Sequence, residues 1–386
     1  MRIQGQTVDH INVHAIVHSI FKDTQHFKRV MSIANAALGI IASSSLIIHR
    51  IGRGLARALN LSDKHAIKQV DRLLSNKKLS VDNCSENYVY YVIGARKEVK
   101  ITMDWTDFDG DNQTTLSLNL VTLHGRATPL LWKTFSKKTL KNNRNNHEDE
   151  LLVRLRTLIP DDVKVTILAD RGFCDLKLFE FLKEELKFDY AIRIRSNLLV
   201  ENSNGESKAA IQWLTQSGRA KTLRNAKITH KKYEIPTLVC VHDKKMKEPW
   251  CIVSSEADIS GSGLVKWYSK RWGCESQFRD TKDIHFGMGL SATHIKTPAR
   301  RDRLLLIHAI ATVILTFLGA AGEKIGLDRY LKANTVKKRT LSLFNQGIIY
   351  FNRLPKMCEE TLLKLLTTFT DLIDENKNLT AILGAV

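Results

Sequence analysis

The run Val163-Lys-Val-Thr-Ile-Leu-Ala-Asp170 constrains the fold of this chain more than any other stretch. It is almost continuously apolar, which suits a strand covered on both faces, the mark of a central parallel strand. It ends on a carboxylate, Asp170. The sequence around it alternates in kind. His147 to Ile159 reads as a helix before the run, Asp175 to Lys187 as a helix after it, and Phe188 to Ile194 as a further strand.

Upstream, Val99, Ile101 and Met103 alternate with Lys100, Thr102 and Asp104, which predicts a strand ending near a second carboxylate. Asp107 to Asn112 reads as a turn. Its Asp spacing is like that of a calcium loop, but the glycine is misplaced and Leu118 stands where the twelfth-position ligand is needed, so that reading is discarded. Thr114 to Thr122 and Arg126 to Thr134 complete a three-strand meander. A polar loop follows with Lys137, Lys138, Lys141 and Arg144. The order is therefore strand, strand, strand, helix, strand, helix, strand. A right-handed crossover then brings the fourth strand beside the first and sets Asp104 next to Asp170. This is an α/β, ribonuclease-H-like mixed sheet, in which a third acid comes from a later helix.

Tyr268 to Lys282 offers that acid. If the stretch is helical, Tyr268, Arg271, Glu275 and Lys282 fall within about 60° of one another on one face. That face carries one carboxylate among two cations and a phenol. The plain alternative is a solvated helix with an ordinary Arg–Glu pair. Three carboxylates from separated segments could hold two divalent ions, one activating the attacking oxygen and the other stabilising the leaving oxygen in phosphodiester displacement. Hard oxygen ligands favour Mg²⁺, with Mn²⁺ as a substitute.

The charge balance points the same way. The chain of 386 residues carries a formal net charge of +19, which calls for a polyanionic partner, nucleic acid first and an anionic membrane second. Cys84, Cys174, Cys240, Cys251, Cys274 and Cys358 show neither zinc nor disulfide spacing, so a reducing cytoplasm fits. The N-terminus has no signal-peptide core. Leu304 to Ala321 lacks formal charge but contains His308, Thr312 and Thr316, and reads as a buried helix rather than a membrane span.

Four regions follow. Residues 1–85 read as a helical basic DNA-binding region, with Lys28, Arg29, Arg50, Arg53, Arg57, Lys64, Lys68 and Arg72 spread through periodic sequence, and Asn60, Ser62 and Asp63 as cap-like breaks. His10, His14 and His18 form a surface stripe without a companion ligand for metal. Residues 86–195 and 262–325 make a split catalytic core. Residues 196–261 are a mostly β insertion, with strands at Glu234 to Val241 and Pro249 to Ser254. Residues 326–386 form a helical C-terminal region.

Tyr268, Arg271, Glu275 and Lys282 match the spacing Y-(2)-R-(3)-E-(6)-K, and the chain here resembles DDE transposases of the insertion-sequence-4 family. "Thr-Met-Asp104-Trp-Thr-Asp-Phe" is similar to the family's first acid block and "Leu-Ala-Asp170-Arg171-Gly-Phe" to its second. The resemblance covers roughly residues 25–320. It implies a cut-and-paste transposase acting on double-stranded DNA, both transposon ends and target. Asp104, Asp170 and Glu275 would bind two Mg²⁺ ions, and Tyr268, Arg271 and Lys282 would hold phosphates. Arg171 and Arg195 would contribute similarly, with Arg193 close to the latter. Trp250 resembles an insertion-domain Trp that stacks on a flipped base during hairpin formation. Trp105 and Trp272 read as core residues. Tyr268 as a covalent nucleophile is excluded, because its companions lack the tyrosine-recombinase spacing. The family works as a homodimer on paired ends, in the bacterial cytoplasm and at the nucleoid; the roughly 100 residues after Lys282 leave the dimer surface unassigned. The competing readings are a ribonuclease-H-like endonuclease without strand transfer and an inactive DNA-binding remnant.

Overall fold

The computed structural model describes residues 13–244, 246–374 and 382. Of the histidine stripe, His10 lies outside these residues. Five helices open the described chain: α1 (Val13–Phe21), α2 (Phe27–Ser43), α3 (Ile48–Leu59), α4 (Asp63–Ser75) and α5 (Val81–Ile93). The cap signals work as the sequence implies. Asn60 ends α3 in the left-handed conformation (φ 52°), and the Ser62 and Ser80 side chains accept from backbone N–H groups in the first turns of α4 and α5. Helix α5 runs across residue 85, where the sequence suggests a boundary. The apolar faces of these helices join the same core cluster as the sheet.

The sheet begins with β1 (Glu98–Phe108), β2 (Gln113–Leu120) and β3 (Thr128–Ser136), then α6 (Arg144–Leu158), β4 (Lys164–Ala169), α7 (Leu176–Glu180) and β5 (Asp189–Arg193). The expected helix from Asp175 to Lys187 is shorter and changes pitch, since α7 passes into a π-helical turn at Phe181–Glu185. Next come β6 (Leu199–Glu201), β7 (Ser207–Ala209), β8 (Lys221–Ile228), β9 (Tyr233–Val241) and β10 (Trp250–Ser254). The ten strands among the described residues form one sheet, in the order β3-β2-β1-β4-β5-β10-β9-β8-β6-β7. Strands β1, β4 and β5 run parallel, and the other pairs are antiparallel. This is the α/β, ribonuclease-H-like arrangement, with the first five strands in the expected order.

Residues 196–261 extend that sheet rather than standing beside it, because β10 pairs antiparallel with β5. Strand β8 is hidden in the sequence by its Lys and Arg content. Its buried residues, Leu223, Ala226 and Ile228, do not keep strict alternation.

Alternate residues of the central strands divide between two apolar clusters. Ile167, Ile192, Leu238 and Val253 face the main core, while Leu168, Ala191, Val239 and Ile252 face a smaller cluster closed by Leu264 and Tyr268. These last two sit on α8 (Gly261–Ser269). The chain continues through α9 (Trp272–Lys282), α10 (Pro298–Lys324), α11 (Leu343–Arg353) and α12 (Glu359–Asp374). Helix α10 is long and apolar enough to pass for a membrane span, yet 94% of its apolar window is buried inside the fold. It crosses α11 at Gly319 and Gly347. A Cβ on either glycine would lie 1.9 Å from the facing backbone carbonyl oxygen, of Leu343 and Leu315 respectively.

Candidate active site

Strand pairing builds the centre of the site. The parallel register of β1 on β4 ends at Met103 opposite Ala169, so the next residues, Asp104 and Asp170, leave adjacent strands at the same level. The sequence places Asp104 at a strand end. In the structure β1 continues to Phe108, held beyond Asp104 by β2 alone, with Asp104 opposite Ser117. It is the parallel pairing that stops at the acids, and this opens the sheet there. The chain turns at once after Asp170, whose Oδ1 accepts from Gly172 N at 2.7 Å.

Glu275, the expected third acid, lies in a stretch whose local structure differs from the single helix the sequence suggests. Tyr268 to Lys282 is not one helix. Helix α8 ends at Ser269, and α9 starts at Trp272 after a tight turn in which Arg271 N donates to Tyr268 O at 3.0 Å and Gly273 N to Lys270 O at 3.0 Å. These three-residue spacings overwind the backbone. The bend is anchored by Ala127 N donating to Gly273 O at 3.1 Å. Arg271 consequently sits at the head of α9 and reaches both the sheet and its own helix. Its guanidinium is 2.5 Å from Glu275 Oε1 and 3.5 Å from Asp104 Oδ2.

The electrostatics link the three acids. Burial pushes the Asp104 carboxyl up to about 6; Arg271 opposes that rise, and the charges of Asp170 and Glu275 add to it. The Tyr268 phenol is pushed up to about 12, first by burial, against the pull of Arg271 and Arg193, so it stays protonated near neutrality. Trp250 opens β10 and meets Tyr268 edge-on, ring centroids 5.1 Å apart.

Other residues expected at the site lie differently. Lys282 does not join Arg271 over the acids. Its ammonium donates to Asp107 O at 2.7 Å and Thr106 Oγ1 at 3.2 Å, beyond Asp104 on β1, and lies 5.0 Å from the Phe108 ring centre. Two helical turns separate it from Glu275, enough to carry it past the acids. Arg195 is exposed in the turn after β5. Arg193, the last residue of β5, faces the site: its guanidinium donates to Glu248 Oε1 at 2.7 Å and to Pro249 O at 3.0 Å. Arg171 is 3.4 Å from the other oxygen of Glu248. Nothing in the sequence marks Glu248, and only the folded side-chain contacts show what it faces. Trp272, expected in the core, is 53% exposed, whereas Trp105 is partly buried and donates to Glu148 Oε1 at 2.7 Å.

No three Asp, Glu, His or Cys side chains among the described residues stand close enough together to hold a metal ion. The expected convergence of the acids on a shared ion pair is therefore not formed by the side chains as they stand. The reason is visible at Arg271, whose single positive charge balances Asp104 and Glu275 from between them. The donor chemistry nonetheless fits a hard divalent cation: carboxylate oxygens, with the one nearby thiol, Cys274, fully buried and pushed above its usual range.

The fold defines a ribonuclease-H-like α/β protein. Residues 133–314 match the family described as Transposase DDE domain, which supports a DDE transposase and hence a protein that acts on DNA. The matched stretch contains Asp170, Trp250, Tyr268, Arg271, Glu275 and Lys282, and begins after Asp104. No curated protein matches the chain.

Proposed function

We propose that this chain is a cut-and-paste DNA transposase of the insertion-sequence-4 type, with Asp104, Asp170 and Glu275 as its catalytic acids. The observation that carries the reading is the charge centre in which Arg271 balances Asp104 and Glu275 beside Asp170. A buried carboxyl raised by its burial, with two further acids beside it, suits a cationic ligand. Asp104, Asp170 and Glu275 would hold two Mg²⁺ ions, with Mn²⁺ able to substitute. Bound there, the ions would supply activation of the attacking oxygen and charge relief at the leaving oxygen.

The chain's own residues position the DNA. Arg271, freed from part of its load when the acids are otherwise neutralised, can turn its fork to a phosphate, which its planar donors match. Tyr268 keeps its proton and can donate to a backbone oxygen. Trp250, standing against Tyr268, offers a face on which an extruded base can stack, so that the strand bends sharply enough for its 3′-hydroxyl to attack the opposite strand and form a hairpin. Arg171 holds the strand nearby. Lys282 and Arg195 are assigned to more distant phosphates. Terminal inverted repeats would be read in part by the N-terminal helices. There α2 and α4 line an open groove with Lys28, Arg29, Lys68 and Arg72, and no acidic residue lines it. The enzyme would act as a homodimer on paired ends in the cytoplasm.

The test is Glu275→Ala assayed on a supercoiled plasmid carrying the element's own ends, with Mg²⁺. Cleavage should be lost while binding to the same DNA is retained. Normal cutting by Glu275→Ala overturns the assignment of the acids.

A further inference from the structure

Two guanidiniums converge beside the acids without touching them. Arg171 follows Asp170 directly, and Arg193 ends β5, the parallel neighbour of β4. Both therefore stand at the same edge of the sheet as Asp104 and Asp170. Between them lies one anion, Glu248. Its Oε1 is 2.7 Å from Arg193 and its Oε2 3.4 Å from Arg171, one oxygen to each cation. A backbone phosphate presents its two non-bridging oxygens in the same way.

The exposures of the three groups differ usefully. The Arg193 side chain is 13% exposed and is further fixed by its bond to Pro249 O, so it is a preset donor. Arg171 and Glu248 are 57% and 49% exposed, so this pair can part at little cost. One carboxylate facing two guanidiniums also leaves a positive charge unspent. Glu248 precedes by two residues Trp250, the ring that meets Tyr268. The contact thus lies where a strand held at the acids would pass.

We propose that Glu248 occupies, in the DNA-free protein, the place between Arg171 and Arg193 that one backbone phosphate of the DNA strand takes on binding. Glu248 is a competitor built into the chain: DNA displaces it, and its charge weakens binding of strands that cannot satisfy both guanidiniums. The inference rests on the transposase reading for its ligand and on the Arg171–Glu248–Arg193 geometry for its place.

The experiment measures binding of a fluorescein-labelled DNA duplex of arbitrary sequence by anisotropy across a range of salt concentrations, with the full chain. Glu248→Gln should bind about two- to fivefold more tightly at low salt, the range expected for release of an exposed ion pair. Glu234→Gln removes an equal charge at the far end of β9 from Val241, the partner of Trp250, and should change binding less. In an Arg171→Gln background, where the exposed cation is gone and the fold is undisturbed, the gain from Glu248→Gln should shrink. Equal gains from Glu248→Gln and Glu234→Gln, or a full gain kept without Arg171, would show a general charge effect and overturn the proposal while leaving the transposase reading intact. Failure of the unaltered chain to bind duplex DNA, or binding indifferent to salt, overturns both.

Discussion

Arg271→Gln tests the charge centre most directly. The guanidinium has 13% of its side chain exposed and serves two carboxylates, one at 2.5 Å and one at 3.5 Å. At an effective dielectric constant of about 20, these contacts are worth about 5–7 kcal/mol each before desolvation is counted. Gln removes both and strands two acids beside Asp170. Partial exposure of Asp104 and Glu275 lets water repay some of this, so the net loss is about 2–4 kcal/mol, toward the lower end of what breaking a buried pair costs. For 386 residues at about 2.1 cal/mol/K each, that loss lowers Tm by about 2.5–5 °C. With the guanidinium gone, the carboxylates have no internal counter-charge, so Mg²⁺ should raise the Tm of Arg271→Gln more than that of the unaltered chain. At a hundredfold excess over Kd the ion would restore about 2.7 kcal/mol. The assay is thermal unfolding followed by circular dichroism, with and without Mg²⁺. An unchanged Tm together with no differential response to Mg²⁺ would refute the idea that Arg271 stands in for a cation.

Further perturbations separate other parts of the argument. Trp250→Ala should slow hairpin formation by roughly five- to 150-fold, the loss of one base-stacking contact of about 1–3 kcal/mol, while first-strand nicking is largely spared; equal loss of both steps on a gel contradicts a stacking role. Gly347→Ala should destabilise the chain by at least about 1–3 kcal/mol in denaturant titration, because its Cβ would meet the Leu315 carbonyl oxygen at 1.9 Å and α10 and α11 would have to separate. Asp302 gives a pH test. Burial pushes its carboxyl from near 3.8 up to about 7, so the folded state favours the acid form. Its contribution to stability is full below about pH 4 and is lost as pH rises through 7. Asp302→Asn keeps an acceptor for Thr134 N, 3.0 Å away, and removes the titration. The stability difference, unaltered chain minus variant, should therefore fall by up to about 4 kcal/mol between about pH 4 and pH 7 and then level off. A flat difference across that range removes Asp302 as a titrating core acid.

Much of this fold is legible in the sequence. Strand periodicity and one nearly continuous apolar run indicate the first five strands, their order and the adjacency of Asp104 and Asp170, because a right-handed crossover leaves little other choice. Helix α10 was readable as a core helix, since its Thr and His residues find partners inside a fold; His308 Nε2, for one, lies 3.0 Å from Thr281 Oγ1. Strand β8 was not legible, because its Lys and Arg residues obscure a strand whose buried positions do not alternate strictly.

Sequence by itself determined the first five strands and the adjacency of Asp104 and Asp170 at one edge of the sheet. These follow from local periodicity and chain connectivity. Only the tertiary structure decided what those residues do with their charges. Arg271 balances two acids because α8 and α9 meet at an overwound turn; Lys282 turns away to β1; Glu248 stands between Arg171 and Arg193 because β10 lies against β5. Apart from the i,i+4 pair of Arg271 and Glu275, these ion pairs form between whatever the folded backbone brings within a few ångströms, and no spacing along the chain encodes that distance.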